Sequence, residues 1–354
     1  MTMQEFFANL GAQPIEVKTG LIIDPTKVED FDPVNVGMNF GVTPETPRMT
    51  ATIDTMPTFH QRFPVLAGAY KKGMTVNHTE AVYKAAAHFG FDPLDLIHQQ
   101  PRGTCGGRSG AGTLDIVQCI LFAAGKARFK FKRASHAALY YLARFLHGDV
   151  GGNWQNTRND GVIGGSIPEV MAKFGVTNRE ETGDVKWYGQ GSDDLACQLA
   201  AGMHPDLARK IIELSKDNVV TEWSPVKSAQ EAADGIVSGG ILIGSDSFGF
   251  GAGNSINPRD KQGFCKPAGT WHHYHLRCSV GDISGTGRDG FGYWQSWGKT
   301  VPSGPALKGH LSNCFGVDWD FQDYCIKNGR YAIIHGFPVW DLEKGLIDLP
   351  WSFA

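Results

Sequence analysis

Cys105 stands in the segment Gln99-Gln100-Pro101-Arg102-Gly103-Thr104-Cys105-Gly106-Gly107-Arg108-Ser109, and an apolar stretch follows from Leu114. A cysteine that enters a helix from a glycine turn sits at the positive end of the helix dipole. That position favours the thiolate, which is the nucleophilic form of the side chain. Further along, Trp271-His272-His273-Tyr274-His275-Leu276-Arg277-Cys278-Ser279-Val280-Gly281 reads as an alternating strand dense in imidazoles. Gly292-Tyr293-Trp294-Gln295-Ser296-Trp297-Gly298 then supplies an amide directly before a Ser-Trp-Gly. Acyl transfer through a thiol needs a thiolate, an imidazole to pair with it, and an amide or carboxylate to fix the imidazole's tautomer. It also needs a donor aimed at the developing oxyanion. Cys105, His275 or His273, Gln295 and Gln99 offer these roles in one chain order.

A lone cysteine near a helix start is more often a small buried residue than a nucleophile, so the conjunction carries the reading. His273 and His275 share a strand face and His272 lies on the other. The four glycines at 106, 107, 110 and 112 each cost about 1 kcal/mol relative to alanine inside a helix. They predict a weakened, irregular start to the helix behind Cys105.

These motifs resemble those of the papain-like cysteine peptidases, bacterial-type members in particular. Gln99 lies six residues before Cys105, the family's spacing from oxyanion glutamine to nucleophile, and Gly103-Thr104-Cys105 resembles its Gly-Ser-Cys. His275, six residues before Gly281, is similar to the family's histidine register, and Gln295-Ser296-Trp297-Gly298 resembles its Asn-Ser-Trp-Gly. Ser135 to Arg144 and Gly164 to Val176 resemble two helical segments of bacterial members. The resemblance runs from about Gln99 to Gly298.

It implies an α+β, papain-like two-part fold, in which a helical half with a Cys-bearing helix N-terminus packs on an antiparallel β half. It also implies hydrolysis of a peptide or related amide in a peptide or protein substrate. Cys105 would attack, His275 (alternatively His273) would pair with it and protonate the leaving amine, and Gln295 would orient the ring. Gln99 and the Cys105 N–H would hold the oxyanion, and Trp297 would shield the histidine. No metal or organic cofactor is implied. Two positions depart from the family: Gln295 stands for asparagine and Gly106 for an aromatic residue. A rival register puts Arg108 where the nucleophile belongs. That register would make a dead enzyme. The proline-bearing arm, the substituted catalytic surroundings and the residues after Gly298 give the alternative reading, an inactive papain-like structural or interaction protein such as a component of a virus particle or other assembly.

Other patterns carry less. Gly285-Thr286-Gly287-Arg288-Asp289-Gly290 matches GxGxxG but leads into strand-like Phe-Gly-Tyr-Trp, so a hairpin loop is expected. Cys265, His272, His273, His275 and Cys278 fit no closed structural zinc spacing, and no CxxC anchors them. Asp193-Asp194 and Asp318-x-Asp320 read as local structure, and the basic run Lys126 to Arg133 as a solvated loop.

The elements that must position these residues follow from composition and periodicity. Hydrophobic residues make up 42% of the 354-residue chain and aromatics 11%, enough for a substantial core. The 45 glycines are nearly twice the usual share of about 7%. A net charge of −3 gives no basic field for nucleic acid. No basic-then-apolar leader opens the chain, and the apolar run near Ile116 to Ala124 is far shorter than the ~20 residues of a membrane span. Seven scattered cysteines without a CxxC predict reduced thiols, in a cytoplasmic setting or an assembled particle.

Seven of the 18 prolines fall between Pro14 and Pro64. Residues 1–70 therefore read as an extended arm that wraps the body or an assembly partner, or serves as a pro-segment. Residues 71–300 form the body, with a helical half at about 77–238 and a β half at about 239–300. Residues 301–354 form a C-terminal extension packed on the β half. Helices are expected after Thr79, Ser135 and Ser166, and over Asp206 to Ser215 and Ala229 to Val237. Strands are expected at Ile241 to Gly244, His273 to Val280, Gly292 to Trp297 and Tyr331 to Ile334.

Overall fold

The computed structural model describes residues 42–43, 56–96, 100, 103–125, 130–147, 161–182, 190–216, 218–220, 223–251, 256–298 and 302–336. Its helical half holds Thr79–Phe89 (α1), Cys105–Ala123 (α2), His136–Leu146 (α3), Ser166–Lys173 (α4), Gln190–Ala200 (α5) and Pro205–Ser215 (α6). Ser135 caps α3 by accepting from the Ala138 N–H at 3.0 Å. Thr79 and Ser166, expected as caps, are instead the first residues of their helices. α1 stops at Gly90, whose φ of 76° only glycine adopts without strain.

α2 runs unbroken through its four glycines, and every residue from Cys105 to Cys119 is buried. The expected irregularity is absent because neighbouring elements press against these positions. A Cβ on Gly106 would lie 2.3 Å from Val162 Cγ2, and one on Gly107 would lie 2.5 Å from the His136 carbonyl oxygen. The glycines let α3 and the Val162–Ile163 strand (β3) approach the helix backbone. Tertiary packing thus overrides propensity.

The β half is one seven-stranded antiparallel sheet. Along it lie Trp223–Pro225 (β4), Arg330–Ile334 (β9), Ile241–Phe248 (β5), Thr270–Gly281 (β6), Gly290–Trp294 (β7) and Phe315–Asp318 (β8), with Thr75–Asn77 (β2) also paired to β6. Val42–Thr43 (β1) pairs separately with β3. The sheet's two faces are covered differently. Ile241, Ile243, Tyr274, Leu276 and Trp294 join the core around α2. Leu242, Tyr331 and Ile333 pack with Ala229–Val237 (α7) and with Cys325 and Ile326 of Trp319–Asn328 (α8). This is the α+β layout expected, with the Cys-bearing helix laid against an antiparallel sheet.

Residues 302–336 are not an addition laid on the sheet. They supply β8 and β9, and β9 sits between β4 and β5 with Ile333 and Ile334 fully buried. The boundary expected at 300 therefore coincides with no edge of the β half. Residues 56–70, the described end of the expected arm, dock on α7 through buried Asp234. Its carboxylate accepts from the N–H groups of Gly68 and Tyr70 at 2.7 and 2.6 Å and contacts His60 Nε2 at 2.8 Å. Residues 1–41 and 44–55 of the expected arm lie outside the described residues. Residues 282–289 form the hairpin loop expected, with the Asp282 carboxylate accepting from the N–H groups of Thr286 and Gly287.

Candidate active site

Cys105 is the first residue of α2, behind Thr104 as N-cap. Its Sγ accepts from the backbone N–H of Tyr274 at 3.4 Å, and one turn later Ser109 Oγ donates to the Tyr274 carbonyl at 2.9 Å. One peptide segment of β6 is thus held by the first turn of α2. The opportunity arises because the β6–β7 ladder ends at the Leu276–Trp294 pair. Arg108, the rival position, lies one turn deeper and faces away into a buried ion pair with Asp193. The thiol that meets the histidine strand is Cys105.

Tyr274 turns its side chain into the α2 core, so His273 and His275 project from the opposite strand face. Their ring centroids are 5.0 Å apart and edge-to-face. His273 stacks on Trp297 at 4.4 Å with an interplanar angle of 23°, while His275 lies 4.9 Å from the Tyr293 ring. Both histidines are essentially fully buried, and none of their four ring nitrogens has a hydrogen-bond partner. The structure therefore brings Cys105 to the peptide between the two imidazoles without a hydrogen bond to either. Trp297, expected to shield the working histidine, covers His273.

Gln295 is buried but bonds neither His273 nor His275. Its Nε2 donates to the carbonyls of Gly298 and Asn313 at 3.4 Å, and its Oε1 accepts from the Trp297 N–H. Gln99 lies outside the described residues. Its neighbour Gln100 donates its N–H to the Ser296 carbonyl at 2.7 Å and accepts from Ser296 Oγ through its own side chain. Gln100 is thereby tied to the Gln295–Gly298 loop.

Two charged clusters border the site, and the spacing reading missed both. Beneath the imidazoles, Arg277 is fully buried. Its Nε donates to Gln322 Oε1 at 3.0 Å, its Nη2 to the Tyr331 hydroxyl at 2.8 Å, and its guanidinium lies 3.8 Å over the Tyr293 ring. Burial, and then the Arg277 charge, push His273 down to about 3. Burial, Arg277 and His273 in that order hold His275 well below the ordinary imidazole range. Both rings are neutral at pH 7.

Behind α2, Asp193 accepts from Thr104 Oγ1 at 2.7 Å and from Arg108 Nε at 2.9 Å, and its carboxylate lies 3.2 Å from His136 Nε2. Burial opposes its ionisation, yet Arg108, His136 and Thr104 together hold it below the usual carboxylate range. Asp193 is thus more than the local helix start expected. The available signal was its place on α5 in one stripe with Ala196, Cys197 and Ala200. Arg133, expected in a solvated loop, pairs instead with buried Asp115 at 2.5 Å.

Among the described residues, no group of three or more His, Cys, Asp or Glu side chains is disposed around a metal position. No described helix is long and apolar enough to cross a membrane.

Comparison with known proteins gives likeness at the level of structure alone. No family model and no curated protein sequence matches the chain. Among solved structures, xylellain, a cysteine protease from Xylella fastidiosa, is 14% identical with a TM-score of 0.49, over 85% of this chain and 97% of that one. The proform of the ragweed pollen cysteine protease Amb a 11 is 15% identical with a TM-score of 0.49, over 98% and 81%. Digestive procathepsin L 3 of Tenebrio molitor is 12% identical with a TM-score of 0.45, over 84% and 75%. Every score lies under 0.5, and the functional reading therefore rests on the residues of the site.

Proposed function

We propose that this chain is a papain-like thiol hydrolase that cleaves peptide or related amide bonds by acyl transfer through Cys105. The observation that carries the reading is the Tyr274 N–H···Sγ contact of 3.4 Å, which sets a helix-N-terminal thiol against the peptide between His273 and His275. Cys105 attacks the carbonyl and the α2 N-terminus stabilises the developing negative charge. An imidazole takes the thiol proton and returns it to the leaving amine. The stack with Trp297 supports His273 for this role over His275. The spacing to Gly281 favours His275, but that count crosses a register shift between Arg277 and Ser279 and so does not measure strand position.

The test is labelling by a broad thiol-reactive peptide probe, read by mass spectrometry across all seven cysteines. Selective labelling of Cys105, lost in the His273→Ala variant, supports the reading. Labelling that is absent, or unchanged in that variant, overturns it.

The second reading is a non-catalytic scaffold that keeps this fold as part of an assembly. It is favoured by the Gln295 amide, which is turned into its own loop and away from either imidazole. An intact assembly formed by the Cys105→Ala variant, with no probe labelling of the parent, would decide for it.

A further inference from the structure

We propose that Ser109 is a positioning residue for the Cys105 thiol: by donating to the Tyr274 carbonyl it holds the Tyr274 N–H against Sγ. Its bearing on catalysis rests on the hydrolase reading above, whereas the contact itself is read on the thiol alone.

Adjacent strands satisfy one another's N–H and C=O groups, and a strand that outruns its neighbour leaves those groups to be met elsewhere. β6 starts at Thr270, but its ladder with β7 starts only at the Leu276–Trp294 pair. Backbone groups two residues apart point to the same edge of a strand, so Tyr274 faces the side that β7 covers for Leu276. The first turn of α2 stands there instead. Cys105 Sγ accepts from the Tyr274 N–H at 3.4 Å, and Ser109 Oγ donates to the Tyr274 C=O at 2.9 Å. Residues four apart lie one above the other on a helix, so this acceptor and donor match the two backbone groups of one strand residue.

The two contacts differ in strength. An N–H to sulfur at 3.4 Å is a long hold, while an O–H to carbonyl at 2.9 Å is an ordinary hydrogen bond. Ser109 therefore supplies the restraint, and the thiol receives its effect. Cys105, Ser109 and Tyr274 are 0%, 5% and 1% exposed, so bulk water does not stand in for the hydroxyl. A donor held on sulfur favours thiolate over thiol, and the helix N-terminus acts in the same direction. The charged and titratable groups around this turn are Arg108, Asp193 and His136 behind α2, and His273, His275 and Arg277 on β6. All of them remain in a Ser109 variant, so a change in the titration of Cys105 reports the lost restraint. Spacing around Cys105 does not single out Ser109, because its partner lies 165 positions along the chain.

The experiment is alkylation of the full chain by iodoacetamide across the pH range of thiol ionisation, followed at Cys105 by mass spectrometry. The parent is compared with Ser109→Ala and Ser109→Thr. Ser109→Ala should move the midpoint to higher pH and slow alkylation below it by roughly three- to tenfold, since hydrogen bonds to charged groups are among the stronger ones. Ser109→Thr keeps the hydroxyl and should stay near the parent. A serine that only stabilises the fold would lower the melting temperature and leave the midpoint in place. An unchanged midpoint in Ser109→Ala therefore overturns the proposal, as does an equal shift in both variants. If Ser109→Thr does not fold, the alanine comparison decides alone. If the reagent does not reach Cys105, the ¹³Cβ shift of Cys105 in cysteine-labelled protein gives the same midpoints. A chain that cleaves no peptide but shows the shift loses the hydrolase reading and keeps this assignment. One that cleaves peptide without the shift keeps the reading and loses the assignment.

Discussion

Arg108 and Asp193 form a buried ion pair behind the first turn of α2, with Arg108 Nε donating to Asp193 Oδ1 at 2.9 Å. The same oxygen accepts from Thr104, the residue immediately before Cys105. Asp193 thus joins α5 to both sides of the proposed nucleophile and fixes where the helix begins.

Removing one partner should be costly. Asp193→Leu leaves a buried guanidinium uncompensated, and such losses run to about 3–5 kcal/mol. The paired change Arg108→Met with Asp193→Leu should recover much of that loss, because two apolar side chains leave no buried charge. Urea unfolding of the parent, both single variants and the double variant measures this. A double variant as unstable as the sum of the singles would contradict the pairing.

The glycines of α2 give a prediction whose sign helix propensity gets wrong. Alanine improves on glycine in a helix interior by about 1 kcal/mol. A Cβ at Gly107, however, meets the His136 carbonyl oxygen at 2.5 Å and Tyr140 Cβ at 2.9 Å, neither of which can give way without moving α3. Gly107→Ala should therefore destabilise by about 1–3 kcal/mol, the usual cost of overpacking. Gly112→Ala meets only the end of the Leu276 side chain at 3.1 Å and should be neutral or stabilising. Thermal unfolding of the two variants separates them, and equal shifts would refute the packing account.

The same contrast shows what could be read from the sequence. The helix behind Cys105, the imidazole strand and the hairpin after Gly281 were legible because each depends on periodicity or on turn chemistry within a short segment. The regularity of α2 was not, since the reason for Gly106 and Gly107 lies in Val162 and His136, distant in the chain. Likewise β9 read as a strand from its apolar run, but its place between β4 and β5 depends on long-range pairing. The candidate site was legible as residue types in order. Which histidine Trp297 covers, and where the Gln295 amide points, depend on a bulged register and a loop that spacing does not resolve.

Several buried histidines set an acid limit on stability. Burial pushes His136 and His310 down to about 4 and His273 and His335 down to about 3. Below pH 6.5 the unfolded chain takes up protons that the folded chain refuses, so stability falls as pH drops toward those values. Each such group should cost about 2 kcal/mol between pH 6.5 and 5. Two or three of them approach the whole stability of an ordinary domain, about 5–15 kcal/mol. The protein should therefore lose its cooperative thermal transition between pH 6 and 5, above the carboxylate range. A melting midpoint that is constant from pH 7 to 5 would show that these imidazoles titrate normally.

The two imidazoles beside Cys105 can be told apart by kinetics. If His273 is the base, His273→Ala should lower kcat/KM for a peptide substrate by about 10²–10⁴-fold, the usual contribution of general acid–base catalysis. His275→Ala removes a ring that packs against Tyr293 and His273 but carries no proton in this scheme, and should stay within about tenfold of the parent. His272→Ala, on an exposed side chain bonded to Ser247, serves as the surface control. Trp297→Ala should resemble a milder His273→Ala, since the indole orients that ring through its stack at 4.4 Å. Its effect should fall on kcat more than on KM, because the indole acts on the base rather than on substrate binding. A larger loss in His275→Ala than in His273→Ala would transfer the role to His275, and the Trp297 effect should then vanish.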